Sequence, residues 1–326
     1  MEITARFPNL GFQFQYENIS IPFLGTRITI YGIIIAVAML LGFIFVYALA
    51  RIQKQNTNLY LLSAILALVG GIIGARLYYV IFSWDSFSGR PLSEIWNISN
   101  GGMAIYGGIL FGAIVIAVIC KYKKIRFGRM ADIMCMGLLL AQVIGVWGNF
   151  FSNESFGEYT DGKLAMQIPL DAVQSSMVTS LMRNNLVTVG DTTYIQVRPL
   201  FLYESLWCLI VLIVLIIFTL KKKFDGEIFL RYLAGYGFGR CFIEWFRTDK
   251  LYIPGTKVSI SLVVSIALFI ICAVLAEVRR ALWKKRRVIR ERVEAEHPDE
   301  HSEDEVLEDE ILDEEIEEIE KTEKSE

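Results

Sequence analysis

Histidine is almost missing from this chain. It occurs twice in 326 residues, as His297 and His301, both in an acidic run near the C-terminus. That removes an imidazole base, a serine–histidine triad and a histidine metal cluster from the rest of the sequence. Acid–base chemistry elsewhere has to come from Glu, Tyr or a substrate. Cysteine is sparse too: Cys120, Cys135, Cys208, Cys241 and Cys272 all fall in or at the ends of apolar blocks. No disulfide framework is expected, and each reads as a small buried apolar residue. Charge is scarce in a patterned way, with Asp, Glu, Lys and Arg making up 21% of the chain but avoiding long stretches of it. The opening "MEITARFPNLGFQFQYENIS" lacks the basic start and immediate apolar core of a cleavable signal. Residues 1–27 read instead as an aromatic-rich interfacial segment.

What fills the charge-poor stretches is apolar sequence, 54% of the chain. Seven blocks run at 28–50, 59–82, 103–120, 130–149, 200–219, 227–246 and 258–277. Runs of about 20 apolar residues suit a bilayer core roughly 30 Å thick. The expected fold is therefore an all-α polytopic membrane protein with seven transmembrane helices, its membrane domain covering 28–280. Lys and Arg crowd alternate connections: Arg51 and Lys54, then Lys121, Lys123, Lys124, Arg126 and Arg129, then Lys221 to Lys223, then "RRALWKKRR". The positive-inside rule places the N-terminus outside and the C-terminus in the cytoplasm. Long connections at 83–102 and 150–199 then face outward. Residues 281–326 form a basic, then acidic, cytoplasmic tail. From 291 onward 19 acidic residues face three basic ones, a net of about −16, leaving the rest at about +13. A basic body suits anionic phospholipid, and the acidic end reads as disordered.

Ionisable groups inside a bilayer are costly and mark function by default. Arg76 closes "GGIIGARLYYVIF", whose Gly70, Gly71 and Gly74 have helix-contact spacing. Tyr106 sits between glycine pairs in "NGGMAIYGGILFGA", and "VRPLFLYESLW" brings Arg198, Tyr203 and Glu204 to the start of the fifth block. In "GYGFGRCFIEWFRTDK", Arg240, Glu244 and Arg247 share one helical stripe. One carboxylate on that stripe does not neutralise two arginines, so an anionic partner is expected. Arginine favours phosphate, and a phospholipid headgroup is the abundant phosphate there. "GVWGNFFSNESFG" adds Asn149 and Glu154 where the fourth block ends. With alternating spans, all these groups fall toward the outer side.

The blocks "GARLYYVIF", "GGMAIYGGILFG", "WGNFFSNESFG", "RPLFLYESLW" and "GRCFIEWFRTDK" resemble, in order and spacing, the bacterial prolipoprotein diacylglyceryl transferases. The resemblance runs from about Tyr31 to Leu275. It implies a seven-span plasma-membrane enzyme that moves the sn-1,2-diacylglyceryl group from phosphatidylglycerol to the lipobox cysteine of a prolipoprotein signal peptide. No cofactor and no nucleic-acid partner are implied. By position, Tyr31 matches the family's first-span tyrosine. Asn149, Glu154 and Gly157 match its fourth-span signature, and Tyr236, Arg240 and Glu244 its sixth-span group. The resemblance casts Arg240 as phosphate anchor, with Arg76 and Arg247 in lesser roles. Glu244 would orient an arginine or assist the thiol, and Asn149 and Glu154 would order the headgroup pocket.

Three positions depart from that pattern. Val146 stands where the family carries an arginine, Tyr106 where many members have histidine, and Arg198 where another histidine is common. Losing a cation from an anion site costs a few kcal/mol on the scale of charge-assisted contacts. Two readings follow: an active transferase in which Arg198 restores the charge, or a catalytically impaired paralogue that still binds lipid or lipoprotein. A small transporter fits less well, since no inverted repeat is evident and the polar groups gather on one side.

Overall fold

Each apolar block forms a helix. The computed structural model describes residues 2–17, 20–23, 26–89, 91–96, 102–248, 250, 252–253, 255–256 and 258–296. In chain order these form β1 (Glu2–Phe7), β2 (Phe12–Glu17), β3 (Ser20–Phe23), β4 (Thr26–Thr29), α1 (Ile30–Ile52) and α2 (Thr57–Phe82). Then come short helices α3 (Trp84–Phe87) and α4 (Leu92–Ile95), followed by α5 (Ile105–Tyr122), α6 (Phe127–Gly145) and the single turn α7 (Gly148–Phe151). After β5 (Met166–Pro169), α8 (Ser180–Asn184), β6 (Val187–Val189) and β7 (Thr192–Val197) come α9 (Leu200–Thr219), α10 (Glu227–Phe246) and α11 (Ile260–Glu296). The starts are locally encoded. Thr29 Oγ1 accepts from Gly32 N–H at 3.2 Å and Asn56 Oδ1 from Leu59 N–H at 3.1 Å, capping α1 and α2.

Among the described residues, six helices are long and apolar enough to cross a membrane: Ile30–Ile52, Thr57–Phe82, Ile105–Tyr122, Phe127–Phe151, Leu200–Thr219 and Ile260–Arg290. The chain is thus a mainly helical, polytopic membrane protein. The 20-residue α10 is long enough but carries Glu227, Arg231, Arg240 and Glu244, which keep it out of that group by composition. Helices α2 and α5 pair closely, with Gly71 and Gly108 facing each other: a Cβ at Gly71 would lie 3.2 Å from the Gly108 carbonyl.

Strands are the departure from the sequence expectation. The N-terminal segment and the connection after α7 join in one antiparallel sheet of order β2-β1-β5-β7-β6, and β3 pairs with β4. Ala5, Phe7, Met166, Ile168, Ile195 and Val197 pack with Phe150, Phe156 and Phe201 in one apolar core. That core fixes the sheet to the ends of α7 and α9.

The chain divides into two compact units, 1–272 and 273–326. The described part of the second is helical to Glu296, past the expected block end at 277, through a run rich in Arg, Lys, Glu and Ala, all favourable to helix. The acidic segment beyond, with His297 and His301 and its expected disorder, lies outside the described residues.

Candidate active site

Arg240 lies three residues short of the last full turn of α10, facing α9. Its Nη1 stands 3.2 Å from Glu204 Oε2 and 3.3 Å from Oε1, and its Nη2 3.6 Å from Glu244 Oε2. One guanidinium therefore spans a carboxylate from each helix. Glu244 is 2% exposed, and its Oε1 accepts a hydrogen bond from Ser259 Oγ. Its Oε2 accepts none among the described residues, leaving a buried carboxylate oxygen held only by the charge of Arg240. Glu204 changes the charge argument. Arg247 ends α10 in extended backbone and so leaves the expected helical stripe, while Arg240 is paired with carboxylates from both α9 and α10, so the excess cation inferred from one helical stripe does not hold. Tyr236 lies one turn before Arg240 on the same stripe, stacked on Tyr232 with ring centroids 6.1 Å apart.

A second group is built where the loop after α7 returns between α9 and α10. Gly157 N–H donates to the Arg198 carbonyl at 2.9 Å, and Gly157 bridges to Arg247 in antiparallel fashion. There is no room for a side chain: a Cβ at Gly157 would lie 2.9 Å from Arg198 Cβ and 3.0 Å from the Phe246 carbonyl. The Arg198 guanidinium sits 5.1 Å over the Phe246 ring, and its Nη1 donates to the Glu158 and Tyr159 carbonyls at 3.3 and 3.1 Å. Arg247 Nη2 donates to Ser155 Oγ at 3.3 Å. Three residues distant in sequence, Gly157, Arg198 and Arg247, thus meet at one junction.

The third group is at the start of α1. A Cβ on Gly148 would lie 2.7 Å from Tyr31 Cδ2, so the absence of a side chain lets the Tyr31 ring lie against α7 beside Asn149. Tyr31 is 41% exposed. The Asn149 carbonyl accepts from Glu154 N–H at 3.0 Å, closing the loop that carries both residues, and Glu154 is exposed. Val146 terminates α6 half-buried, and the next residue, Trp147, donates from Nε1 to Ser205 Oγ at 3.0 Å and packs against Phe201.

Arg76 and Tyr106 belong to the α2–α5 pair. Arg76 is 4% exposed, with Nε on the Ile95 carbonyl at 2.7 Å, Nη2 on that of Glu94 at 2.8 Å and Nη1 on that of Gly102 at 2.8 Å. Its guanidinium also faces the rings of Tyr79 and Phe87. It clamps the α2–α5 connection. Tyr106 is exposed in the first turn of α5, and Tyr203 half-buried in the first turn of α9. Two contacts escaped sequence reasoning: Ser259 on Glu244, and Tyr16 on Asn153, whose oxygens are 2.6 Å apart. Neither carries a local pattern, since both depend on which distant segments fold together.

Comparisons with known proteins identify the family. The family model described as prolipoprotein diacylglyceryl transferase matches residues 18–278. A phosphatidylglycerol–prolipoprotein diacylglyceryl transferase of Finegoldia magna is 38% identical over 255 residues, 78% of this chain and 92% of its own length. Enzymes of the same name from Clostridioides difficile and Clostridium botulinum (strain Langeland) are 36% identical over 235 residues and 35% over 229. These cover 72% and 70% of this chain, and 85% and 84% of the relatives. The chain belongs to the prolipoprotein diacylglyceryl transferase family.

Proposed function

We propose that this chain transfers the diacylglyceryl group of phosphatidylglycerol to the thiol of a lipobox cysteine in a prolipoprotein signal peptide. The site is formed by the outward ends of α1, α6 and α10 and the start of α9, in a bacterial plasma membrane. Seven helices cross, α10 included, with the N-terminus outside and the C-terminus in the cytoplasm. The observation that carries the reading is Arg240 bridging Glu204 and Glu244 at the edge of an apolar helix bundle.

The sulfur attacks the glyceryl carbon that bears the phosphate ester. A carbon–sulfur bond forms, the carbon–oxygen bond breaks, and the electron pair leaves on the phosphate oxygen as glycerol phosphate. Negative charge grows on that phosphate, where a fixed guanidinium is worth most. An arginine has five N–H donors, so two carboxylates do not exhaust Arg240. The free thiol has a pKa near 8.5, and the thiolate is the nucleophile. The orphan oxygen of Glu244 is the acceptor best suited to draw off its proton. Tyr31, Asn149 and Glu154 order the headgroup beside it, with Tyr106, Tyr203 and Tyr236 along its walls. Gly157, Arg198 and Arg247 hold the loop in register, and Arg76 holds the α2–α5 connection. In this reading Arg198 acts through the carbonyls of Glu158 and Tyr159, and phosphate binding without an arginine at Val146 falls to Arg240.

The test is complementation of a strain depleted of its own transferase, read by the mobility shift of a lipoprotein. Wild-type chain should restore the lipidated form, and Arg240→Ala should fail at equal membrane expression. Absence of lipidation by well-expressed wild type would overturn the reading.

A further inference from the structure

We infer that Tyr16, on the N-terminal hairpin, is a positioning residue for the loop that carries Asn149 and Glu154. The inference rests on the reading of that loop as part of the transferase site. Between Asn149 and Gly157 the backbone turns through two left-handed residues that are not glycine, Asn153 at φ 54° and Ser155 at φ 53°. Asparagine tolerates this conformation better than most residues, but glycine is its natural occupant. Asn153 is 3% exposed, and its Oδ1 accepts the Tyr16 hydroxyl at 2.6 Å. The same hydroxyl is 3.3 Å from the Phe150 carbonyl, and its ring packs on Phe150 and Phe151, each with centroids 5.3 Å away.

The anchor behind Tyr16 is firm. Tyr16 pairs with Ile3 in the β1–β2 register, and β1 continues through Arg6 and Gln167 into the sheet. On the other side, Asn153 directly precedes Glu154, whose N–H closes on the Asn149 carbonyl. Fixing Asn153 therefore fixes the backbone of both site residues. Burial pushes the Tyr16 phenol up to about 12, so it remains a neutral donor throughout the working pH range. Tyr16 also lies before residue 18, where the family match begins.

The experiment compares Tyr16→Phe, Asn153→Ala, Asn153→Gly and the double variant Tyr16→Phe/Asn153→Gly in the full chain. The assay uses phosphatidylglycerol in mixed micelles and a lipobox peptide, with rates normalised to folded protein by gel filtration. Losing the hydroxyl or its acceptor should lower kcat/KM for lipid about tenfold with KM for the lipobox peptide nearly unchanged, as expected for a misplaced headgroup loop. Glycine at 153 adopts the left-handed turn unaided, so Asn153→Gly should stay near wild type and Tyr16→Phe should add nothing in that background. If Tyr16→Phe does not fold, Asn153→Ala against Asn153→Gly carries the same comparison. Full activity in Tyr16→Phe or Asn153→Ala, or an equal loss with and without Asn153→Gly, overturns the inference. Inactive wild type instead overturns the transferase reading.

Discussion

Arg240 is where sequence and geometry can be compared most directly. Its i, i+4 relation to Glu244 is legible because one helix sets it. Its bond to Glu204, 36 residues away, is not, because the partner is chosen by how α9 packs on α10. The pairing makes the planar shape of the guanidinium matter as well as its charge. Lysine keeps the charge but presents it as a point on a flexible stem. Arg240→Lys is therefore expected to lose about 100-fold in kcat/KM, or about 2.7 kcal/mol of transition-state stabilisation. Glu204→Gln retains an acceptor for Nη1 and should lose less. Turnover by Arg240→Lys at the wild-type rate would rule out the bridging role. Gly157 makes a complementary residue-scale case. A methyl group there meets Arg198 and a main-chain carbonyl, so Gly157→Ala should destabilise the junction by about 1–3 kcal/mol through overpacking. Thermal unfolding in detergent measures it.

At the scale of elements, α10 is tied at both ends, and only one tie was read in the sequence. Opposite the site, Asp132 on α6 is 2% exposed and accepts from Gly226 N–H and Phe229 N–H at 2.8 Å each, and from Lys222 Nζ at 2.9 Å. The carboxylate thus caps the N-terminus of α10 from a neighbouring helix, where the helix dipole favours an anion. Asp225 joins Lys222 at 2.9 Å and Arg129 at 3.0 Å. Asp132 is a charged residue within the fourth apolar block. Its purpose was hidden because its donors lie some 94 residues on. Asp132→Ala leaves Lys222 and two helix-end donors without their acceptor, and about 3–5 kcal/mol of stability should go with it. A thermal midpoint unchanged from wild type would refute the cap.

The same latch has a defined pH response. Burial pushes the Asp225 carboxyl up, but the bond and charge of Lys222 together with Arg129 outweigh it and hold it below the usual value. A lowered carboxyl contributes stability above its unfolded pKa, about 3.9, and loses it as pH falls through the lower folded value. Burial pulls Lys222 down, but Asp132 and Asp225 outweigh that and hold it above its usual value. A raised lysine contributes fully below about 10.4 and loses its share only above the folded value. The difference in unfolding temperature between wild type and Asp225→Asn should therefore stay flat from about pH 5 to 9 and shrink below about pH 4. A difference that changes steadily through neutral pH would contradict it.

For the molecule as a whole, the helices were legible and the sheet was not. Long apolar runs announce a helix without reference to anything else, and the block edges fall within a few residues of α1, α2, α5, α9 and α10. The strands are three to six residues long, and Arg6 meets Gln167 across most of the membrane domain's sequence. No local pattern carries such a pairing. The proposed seven-span arrangement turns on the passage of α10. Its 20 residues reach about 30 Å at 1.5 Å per residue, the thickness of a bilayer core. Its charged side chains have partners, Arg240 on Glu204, Glu244 on Ser259 and Arg231 on Glu227 at 3.1 Å, which is what the proposed crossing requires of a helix carrying ionisable groups. Lys221 is exposed just before α10, and Lys250 follows it. Cys120, Cys135, Cys208 and Cys272 are buried and Cys241 on α10 is half-buried, so Cys241→Ser is the background for thiol labelling. In intact cells, a membrane-impermeant maleimide should label Lys250→Cys and leave Lys221→Cys untouched until the membrane is opened. If α10 stays on one side, both positions react alike, and the seven-span arrangement fails together with the outward placement of Arg240.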